Sequence, residues 1–151
     1  MLDYNFLAFL DILGYSNMVK ADLEGPKGEE KNFERLLNLH KETSKLKYEN
    51  LDFTIIQFSD SIIISAPYKV ESFHLFSKLV ADYQKKLLIN GIAIRGGITF
   101  GKHYFKDDFL FSSALIDAYH LESRIARFPR IVISNDLIDL LVNNGNAELK
   151  Y

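Results

Sequence analysis

The sequence predicts an α+β domain, with an antiparallel sheet covered by helices in the βαββαβ order of a ferredoxin-like core and further α/β elements after it. Three observations predict this class. Apolar, β-rich segments alternate with segments of helical periodicity. The first apolar segment is continuous, as in a strand covered on both faces. Two later apolar segments lie only three residues apart, as in a tight hairpin.

The first half of the chain is predicted to form a strand, a helix and a hairpin. Residues 5–12 are apolar up to a single acidic residue near their end, which indicates a buried strand. Residues 22–30 are polar and contain glycine, which predicts an exposed loop. Apolar side chains recur at helical spacing in residues 31–48, and residues 53–58 and 62–66 read as the two strands of the hairpin.

The second half is predicted to alternate helices and strands. A helix whose apolar side chains run from Phe73 to Leu87 ends near Asn90 and Gly91, a good C-terminal cap. Residues 92–99 form a strand, and residues 103–105 are expected to pair beside it. The remaining expected elements are a helix, a strand and a short helix, at residues 114–126, 130–134 and 136–142.

Size and charge limit the classes of function. The chain has 151 residues, a formal net charge of −2 and no cysteine. We therefore expect one domain over residues 1–151, without disulfides or thiolate metal sites, and no binding to nucleic acid or to an anionic membrane. The apolar N-terminal run has no basic leader and is too short to span a bilayer, so a cytoplasmic location is expected.

Two aspartates are the sharpest local signal. Asp11 stands at the end of the first strand and Asp60 at the hairpin turn. In the predicted layout these two ends are sheet neighbours, and two close carboxylates repel each other unless a cation lies between them. Hard divalent ions such as Mg²⁺ or Mn²⁺ suit such oxygen ligands. A helix cap at Asp11 and a simple turn residue at Asp60 explain the same positions about as well.

Four segments carry motifs in a fixed order. They are FLDILGYS at 9–16, FSDS at 58–61, RGGITFG at 95–101, and ALIDAYHLES at 114–123 followed by IVIS at 131–134. Together they resemble the catalytic domain of class III nucleotidyl (adenylyl and guanylyl) cyclases, a family with a nucleotide cyclase-like α/β fold. Ser59 stands where that family has glycine.

The resemblance implies a two-metal cyclase that works as a homodimer, with its site across the dimer interface. Asp11 and Asp60, helped by the Ile12 carbonyl, would hold two divalent metal ions, Mg²⁺ or Mn²⁺. The 3′-oxygen of a nucleoside triphosphate would attack the α-phosphorus and expel pyrophosphate. Backbone N–H groups at the start of a helix would bind the phosphates. They are those of Leu13, Gly14, Tyr15 and Ser16.

Departures from the family pattern limit the range of possible substrates. Ile56 stands where purine cyclases read the base with lysine or glutamate, and Ile116 and His120 replace the family's asparagine and transition-state arginine. The RGGI strand, the AYHLES helix and FPRIV at 128–132 resemble the bacterial pyrimidine cyclases of Pycsar antiphage systems. That likeness implies a cyclic UMP or cyclic CMP product, with UTP favoured over CTP, and a downstream effector that responds to it.

Other residues are candidates for the base contact and for the charge-stabilising arginine that the family pattern has at Ile56 and His120. Arg95 is the candidate base contact, because its donors suit a pyrimidine carbonyl; a surface ion pair is the competing role. Arg124, one helical turn beyond His120, is the candidate for charge stabilisation, ahead of Arg127 and Arg130, and a protonated His120 is a second candidate.

Several residues are expected to have ordinary roles. For His40 and His74 packing or solvent exposure is expected, and for His103 a solvated loop rather than a metal site. Family domains continue with further strands, so the chain reads as truncated at its C-terminus, and Lys150 is not assigned as a phosphate ligand. The competing functions are a purine cyclase, an inactive cyclase-homology module that binds nucleotide or dimerises, and, least favoured, a nucleic-acid-binding domain.

Overall fold

A computed structural model describes residues 1–144, and Lys150 lies outside them. The strands are β1 (Asp3–Ile12), β2 (Thr54–Phe58), β3 (Ser61–Pro67), β4 (Ile94–Lys106), β5 (Phe109–Ser112) and β6 (Ile131–Ile133). The helices are α1 (Tyr15–Glu24), α2 (Lys31–Thr43), α3 (Phe73–Ile89), α4 (Ser113–Arg124) and α5 (Asn135–Asn143), with a 3₁₀ turn at Val70–Ser72. The predicted α+β class is confirmed.

All six strands form one sheet in the order β2-β3-β1-β4-β5, and β6 pairs with β4. Every neighbouring pair in the main order is antiparallel, and β6 runs parallel to β4. Strand β1 lies between β3 and β4, in register with both, so that Asp11 has Ser61 on one side and Arg95 on the other. The centre of the sheet is therefore buried on both faces.

Each face of the sheet has its own apolar core. The larger core lies under α2, α3 and α5 and includes the alternate β1 residues Phe6, Ala8 and Leu10. The smaller core lies under α4, where Leu7 and Phe9 of β1 and Ile63 of β3 meet Ala114 and Ala118. Because side chains alternate along a strand, the acidic end of β1 at Asp11 belongs to the α4 face.

The structure extends or shortens several predicted elements. Helix α1 begins directly after the turn at Gly14 and reaches Glu24, so the expected loop over residues 22–30 is shorter than predicted. Helix α2 ends at Thr43 instead of continuing to residue 48. Strand β4 runs without interruption through residues 103–105, so the prediction that these residues pair beside it was wrong; its partner is β5.

Other predicted features are confirmed. Helix α3 ends with Asn90 at its C-cap and Gly91 at a φ of 74°, the left-handed conformation that favours glycine after a helix. The hairpin between β2 and β3 pairs Phe58 with Ser61, which leaves Ser59 and Asp60 as a two-residue turn. No helix within residues 1–144 combines the length and the apolar character needed to cross a bilayer.

Glycines of β4 let α4 approach the sheet closely. A Cβ atom on Gly97 would lie 3.0 Å from the backbone oxygen of Ala118 and 3.0 Å from Cβ of Leu121. One on Gly101 would lie 3.0 Å from Oγ of Ser113. Both positions face α4, so the small residues of the RGGITFG segment set the distance between helix and sheet, and with it the height of the α4 side chains above Asp11 and Arg95.

Substitution of Gly97 tests this packing. We expect Gly97→Ala to lower the free energy of unfolding by about 1–3 kcal/mol, since the added methyl group meets helix backbone that cannot rotate away. Chemical denaturation followed by circular dichroism measures the change. An unchanged free energy of unfolding would mean that α4 does not need this close approach.

His103 is a buried strand residue, so the expectation of a solvated loop was wrong. Its side chain is 5% exposed, and Nδ1 lies 3.0 Å from Oγ of Ser112. Burial lowers the pKa of His103 below its ordinary value of 6.5. The neutral imidazole is thus the form that the folded protein favours.

This pKa shift makes a prediction about stability. Below about pH 6.5 the unfolded chain takes up a proton at residue 103 that the folded protein resists. The free energy of unfolding should therefore fall as the pH is lowered from 7.5 to 5.5, and His103→Gln should show a weaker fall. Parallel urea titrations at the two pH values measure both slopes. Equal slopes in the two proteins would exclude His103 as a source.

Candidate functional site

Asp11 and Asp60 meet at one edge of the sheet, as the strand order predicts. Asp11 is the register partner of Ser61, the residue that follows Asp60 in the hairpin. The backbone N–H of Ile12 donates to the carbonyl oxygen of Asp60 over 2.8 Å, and Oγ of Ser61 lies 3.4 Å from Oδ1 of Asp60. The end of β1 and the hairpin turn are thus joined by backbone pairing, which fixes the two aspartates relative to each other.

The two carboxylates interact electrostatically. Burial and then the negative charge of Asp60 raise the pKa of Asp11, while the nearby guanidinium of Arg95 lowers it, and the net shift is upward. The positive charge beside Asp11 therefore does not fully offset the cost of placing this carboxylate at a partly buried, acidic edge. A further cation at this edge would be stabilised.

Arg95 is held by two acids. Its Nε atom lies 3.3 Å from Oδ2 of Asp11 and forms an ion pair with Oε1 of Glu122. The Arg95 side chain is 33% exposed and that of Glu122 only 4%, so the ion pairs are partly buried rather than at the open surface. The ion-pair role considered for Arg95 is the one observed; contact with a nucleobase would require this side chain to turn away from Asp11.

Glu122 is the site residue that the sequence reasoning missed. It lies on the same face of α4 as Ala114 and Ala118, four residues apart in turn, and this face packs on the sheet. Burial raises the pKa of Glu122, and the charges of Asp11 and Asp60 add to that effect, while Arg95 opposes it. The four-residue spacing of Ala114, Ala118 and Glu122 was a usable signal, because it places the glutamate on the buried stripe.

The turn that carries Asp60 is strained at its first residue. Ser59 has a φ of 54°, in the left-handed region where residues with a Cβ atom are disfavoured. A positive φ at the first central position is the place where two-residue hairpins commonly have glycine. Ser59 therefore adopts a backbone conformation typical of glycine, at an energetic cost.

The start of α1 lies beside this edge. Gly14 caps the helix with a φ of 75°, and no side chain bonds to the first turn. The N–H of Leu13 donates to the carbonyl oxygen of Ala93 over 2.9 Å and is already occupied. Of the predicted phosphate cradle, Gly14, Tyr15 and Ser16 keep the position at a helix N-terminus that suits an anion, and Leu13 does not contribute its N–H.

The remaining predicted residues lie elsewhere. Ile56 is half-buried on β2 and packs against the smaller core. It pairs with Ile63 of β3, the strand that separates β2 from β1. His120 and Arg124 are exposed on α4, whereas Glu122 is buried there, and within the described residues neither forms an ion pair with Asp11 or Asp60. Arg130 donates to the carbonyl oxygen of Ile125 over 3.0 Å.

A cavity of about 490 Å³ lies next to the hairpin turn, between α1 and α2. Tyr15 and Ser59 belong to its wall, together with apolar side chains of both helices. His40 lines this cavity, half-buried, and His74 is exposed with Nδ1 2.9 Å from the carbonyl oxygen of Glu71, which matches the packing and solvent roles expected for them.

Asp11 and Asp60 are the side chains at this edge that could serve as metal ligands. Within residues 1–144 no three His, Asp or Glu side chains are grouped so as to hold a metal ion by themselves. Mg²⁺ is commonly bound by one or two carboxylates together with substrate phosphates, rather than by a complete protein cage. Burial is the main cause of the raised pKa of Asp11, and the charge of Asp60 adds to it; a cation would relieve this second, electrostatic contribution.

No protein-family model matches the chain, and no curated protein matches it. The resemblance to class III cyclases therefore depends on the four sequence motifs, which contribute Asp11, Asp60, Arg95 and Glu122 to this edge.

Relief of the strained turn is a direct test of its conformation. Ser59→Gly should raise the free energy of unfolding by about 0.5–1 kcal/mol, because glycine adopts a positive φ without steric cost. The greater flexibility that glycine gives to the unfolded chain offsets only part of this gain. Thermal and urea unfolding measure the difference. A destabilised variant would show that the serine side chain makes a favourable contact that outweighs its backbone strain.

Proposed function

We propose that the protein is a nucleotidyl cyclase of the class III type that converts a pyrimidine nucleoside triphosphate, UTP in preference to CTP, to its 3′,5′-cyclic monophosphate and pyrophosphate. The observation that carries the proposal is the meeting of Asp11 and Asp60 at one sheet edge, beside the uncapped start of α1. A product that signals to an effector in antiphage defence, in the cytoplasm, belongs to the same proposal.

The sheet supports the proposed core. Strands β4, β1, β3 and β2 are consecutive in the sheet, and each pair is antiparallel. This is the order that a ferredoxin-like βαββαβ chain gives, with α2 and α3 as its two helices on one face. Helix α4 on the opposite face adds the segment that resembles the family's Leu-Glu-Ser helix.

The carboxylates of Asp11 and Asp60 and the carbonyl group of Ile12 are the proposed ligands of two divalent metal ions, Mg²⁺ or Mn²⁺. When bound, such ions supply charge neutralisation for a triphosphate and a lower pKa for its 3′-hydroxyl. The N–H groups of Gly14, Tyr15 and Ser16 point from a helix N-terminus and bind phosphate oxygens.

The proposed reaction is a single in-line displacement. The substrate's own 3′-oxygen forms a bond to the α-phosphorus, the bond from that phosphorus to the bridging oxygen breaks, and pyrophosphate leaves with the electron pair. The proton of the hydroxyl passes to solvent. No covalent enzyme intermediate is needed, so the protein contributes position and charge stabilisation, the main sources of catalysis in phosphoryl transfer.

The pyrimidine preference is supported by the position where purine cyclases have a polar base contact. Ile56 is apolar there and packs into the smaller core. Arg95 is proposed as the base contact once it is released from Asp11, since a guanidinium donates to the carbonyl oxygen that uracil and cytosine share.

A homodimer is proposed to complete the site. Arg124, and His120 as a second candidate, are exposed on α4, where they can reach the site of a partner protomer and stabilise the charge of the transition state. Apolar side chains exposed on or just after the same helix support an interface there. They are Ile116, Tyr119, Ile125 and Phe128.

Product analysis tests the proposal. Purified protein is incubated with Mn²⁺ and, separately, ATP, GTP, CTP and UTP, and the products are identified by mass. We expect cyclic UMP, with less cyclic CMP, and loss of product in Asp60→Asn, which removes one proposed ligand charge and keeps the side-chain shape. Asp52→Asn removes an exposed aspartate away from the hairpin turn and should retain activity.

The other outcomes assign other functions. A cyclic purine product would overturn the pyrimidine preference. Absence of any cyclic product, from folded protein that still binds metal and nucleotide, would favour the cyclase-homology module that binds nucleotide without turnover.

A further inference from the structure

We propose that Arg95 is an internal counter-ion of the proposed metal site: in the metal-free protein it neutralises Asp11, and a divalent ion displaces it onto Glu122. This inference rests on the proposed function only through the metal site at Asp11 and Asp60. It assigns to Glu122 the role of a positioning residue that retains Arg95 after the exchange.

The geometry shows one cation shared by two acids. A single atom, Nε of Arg95, lies within ion-pair distance of both Asp11 and Glu122. That buried Nε and the buried Oε1 of Glu122 are nevertheless without a well-oriented hydrogen bond. A single N–H donates well to one acceptor at a time, so Asp11 and Glu122 compete for the same donor.

The charges at this edge do not balance. Asp11, Asp60 and Glu122 each contribute a carboxylate, and the charges of Asp11 and Asp60 raise the pKa of Glu122 while Arg95 lowers it. Arg95 pairs with two of these three acids, so one guanidinium against three carboxylates leaves about two negative charges at this edge when all are ionised. A divalent cation matches that deficit, whereas a second monovalent side chain would not.

The difference in burial between Asp11 and Glu122 determines which of the two acids exchanges Arg95 for a metal ion. The Asp11 side chain is 20% exposed and stands at the end of β1, while that of Glu122 is 4% exposed and is fixed on α4 against the sheet. An ion that arrives from solvent therefore reaches Asp11 first. Removing Arg95 from Glu122 would leave a buried carboxylate unpaired, which is strongly unfavourable, so the guanidinium stays with Glu122.

Metal affinity is the first test. Mn²⁺ binding is measured by electron paramagnetic resonance on the intact chain, without nucleotide. Arg95→Gln should bind Mn²⁺ about threefold to tenfold more tightly, because the competing charge is gone. Glu122→Gln should bind it more weakly, since Arg95 then has Asp11 as its one remaining acid. Lys106→Gln, which removes an exposed positive charge at the opposite end of β4 from Arg95, should bind as the unmodified protein does.

The second test separates displacement from a simple effect of net charge. Mg²⁺ is added to ¹⁵N-labelled protein, and the Nε–H resonance of Arg95 is followed by NMR, with Arg95→Lys used to assign it. We expect the resonance to shift as the metal site fills, and to stay in place in Asp60→Asn. Arg95→Lys keeps the charge but does not have the Nε atom that both acids share, and it should also bind Mn²⁺ more tightly.

Two negative outcomes are distinguishable. If Mn²⁺ binds in an Asp60-dependent manner but the Arg95 resonance does not move, the metal site stands and Arg95 is a fixed structural ion pair, which overturns this inference alone. If no Asp60-dependent metal binding occurs, both the inference and the proposed function fail.

Discussion

The central position of β1 in the sheet is the constraint on which the candidate site depends. Strand β1 pairs with β3 on one side and with β4 on the other, and these two ladders place Asp11 between Ser61 and Arg95. A slip of one residue in either ladder would turn Asp11 to the opposite face and Leu10 out of the larger core. Burial of the apolar β1 residues on both faces opposes such a slip, so core packing also fixes the acidic edge.

Helix α4 contributes Glu122 to the candidate site that the sheet forms. It reaches the sheet closely because Gly97 and Gly101 have no side chain beneath it, and this approach brings Glu122 to Arg95. The glycines, the glutamate and the arginine thus act as one unit, although they lie in two separate sequence segments. A glycine that looks like a backbone requirement in the sequence is here a requirement of packing between helix and strand.

Much of the fold could be predicted from the sequence because periodicity and turn chemistry act locally. The continuous apolar run of β1, the tight hairpin turn that contains Asp60, and the Asn90–Gly91 helix end are all local signals, and the structure has them. The turn is one residue shorter than the three residues predicted, because Ser61 belongs to β3. The meeting of Asp11 and Asp60 also followed from strand order.

The features that could not be predicted depended on contacts between residues distant in sequence. His103 was expected in a solvated loop near Asp107 and Asp108, and residues 103–105 in a separate strand after Gly101, yet β4 continues through them and pairs with β5. The role of Glu122 needed the height of α4 above β4, which no single segment encodes.

Helix α1 differs from the other helices at this edge in how it is held. None of its residues is fully buried, and its attachment to α2 includes the bonds that Oδ1 and Oδ2 of Asp22 accept from Asn32 and from the backbone N–H of Phe33. A helix with few buried contacts opens locally at a free energy well below that of global unfolding. We therefore expect amide exchange in α1 to be faster than in β1, and an anion that bound at Gly14, as proposed, would have to order this helix as well. The affinity of such a contact would be lower to that extent than the contacts alone would give.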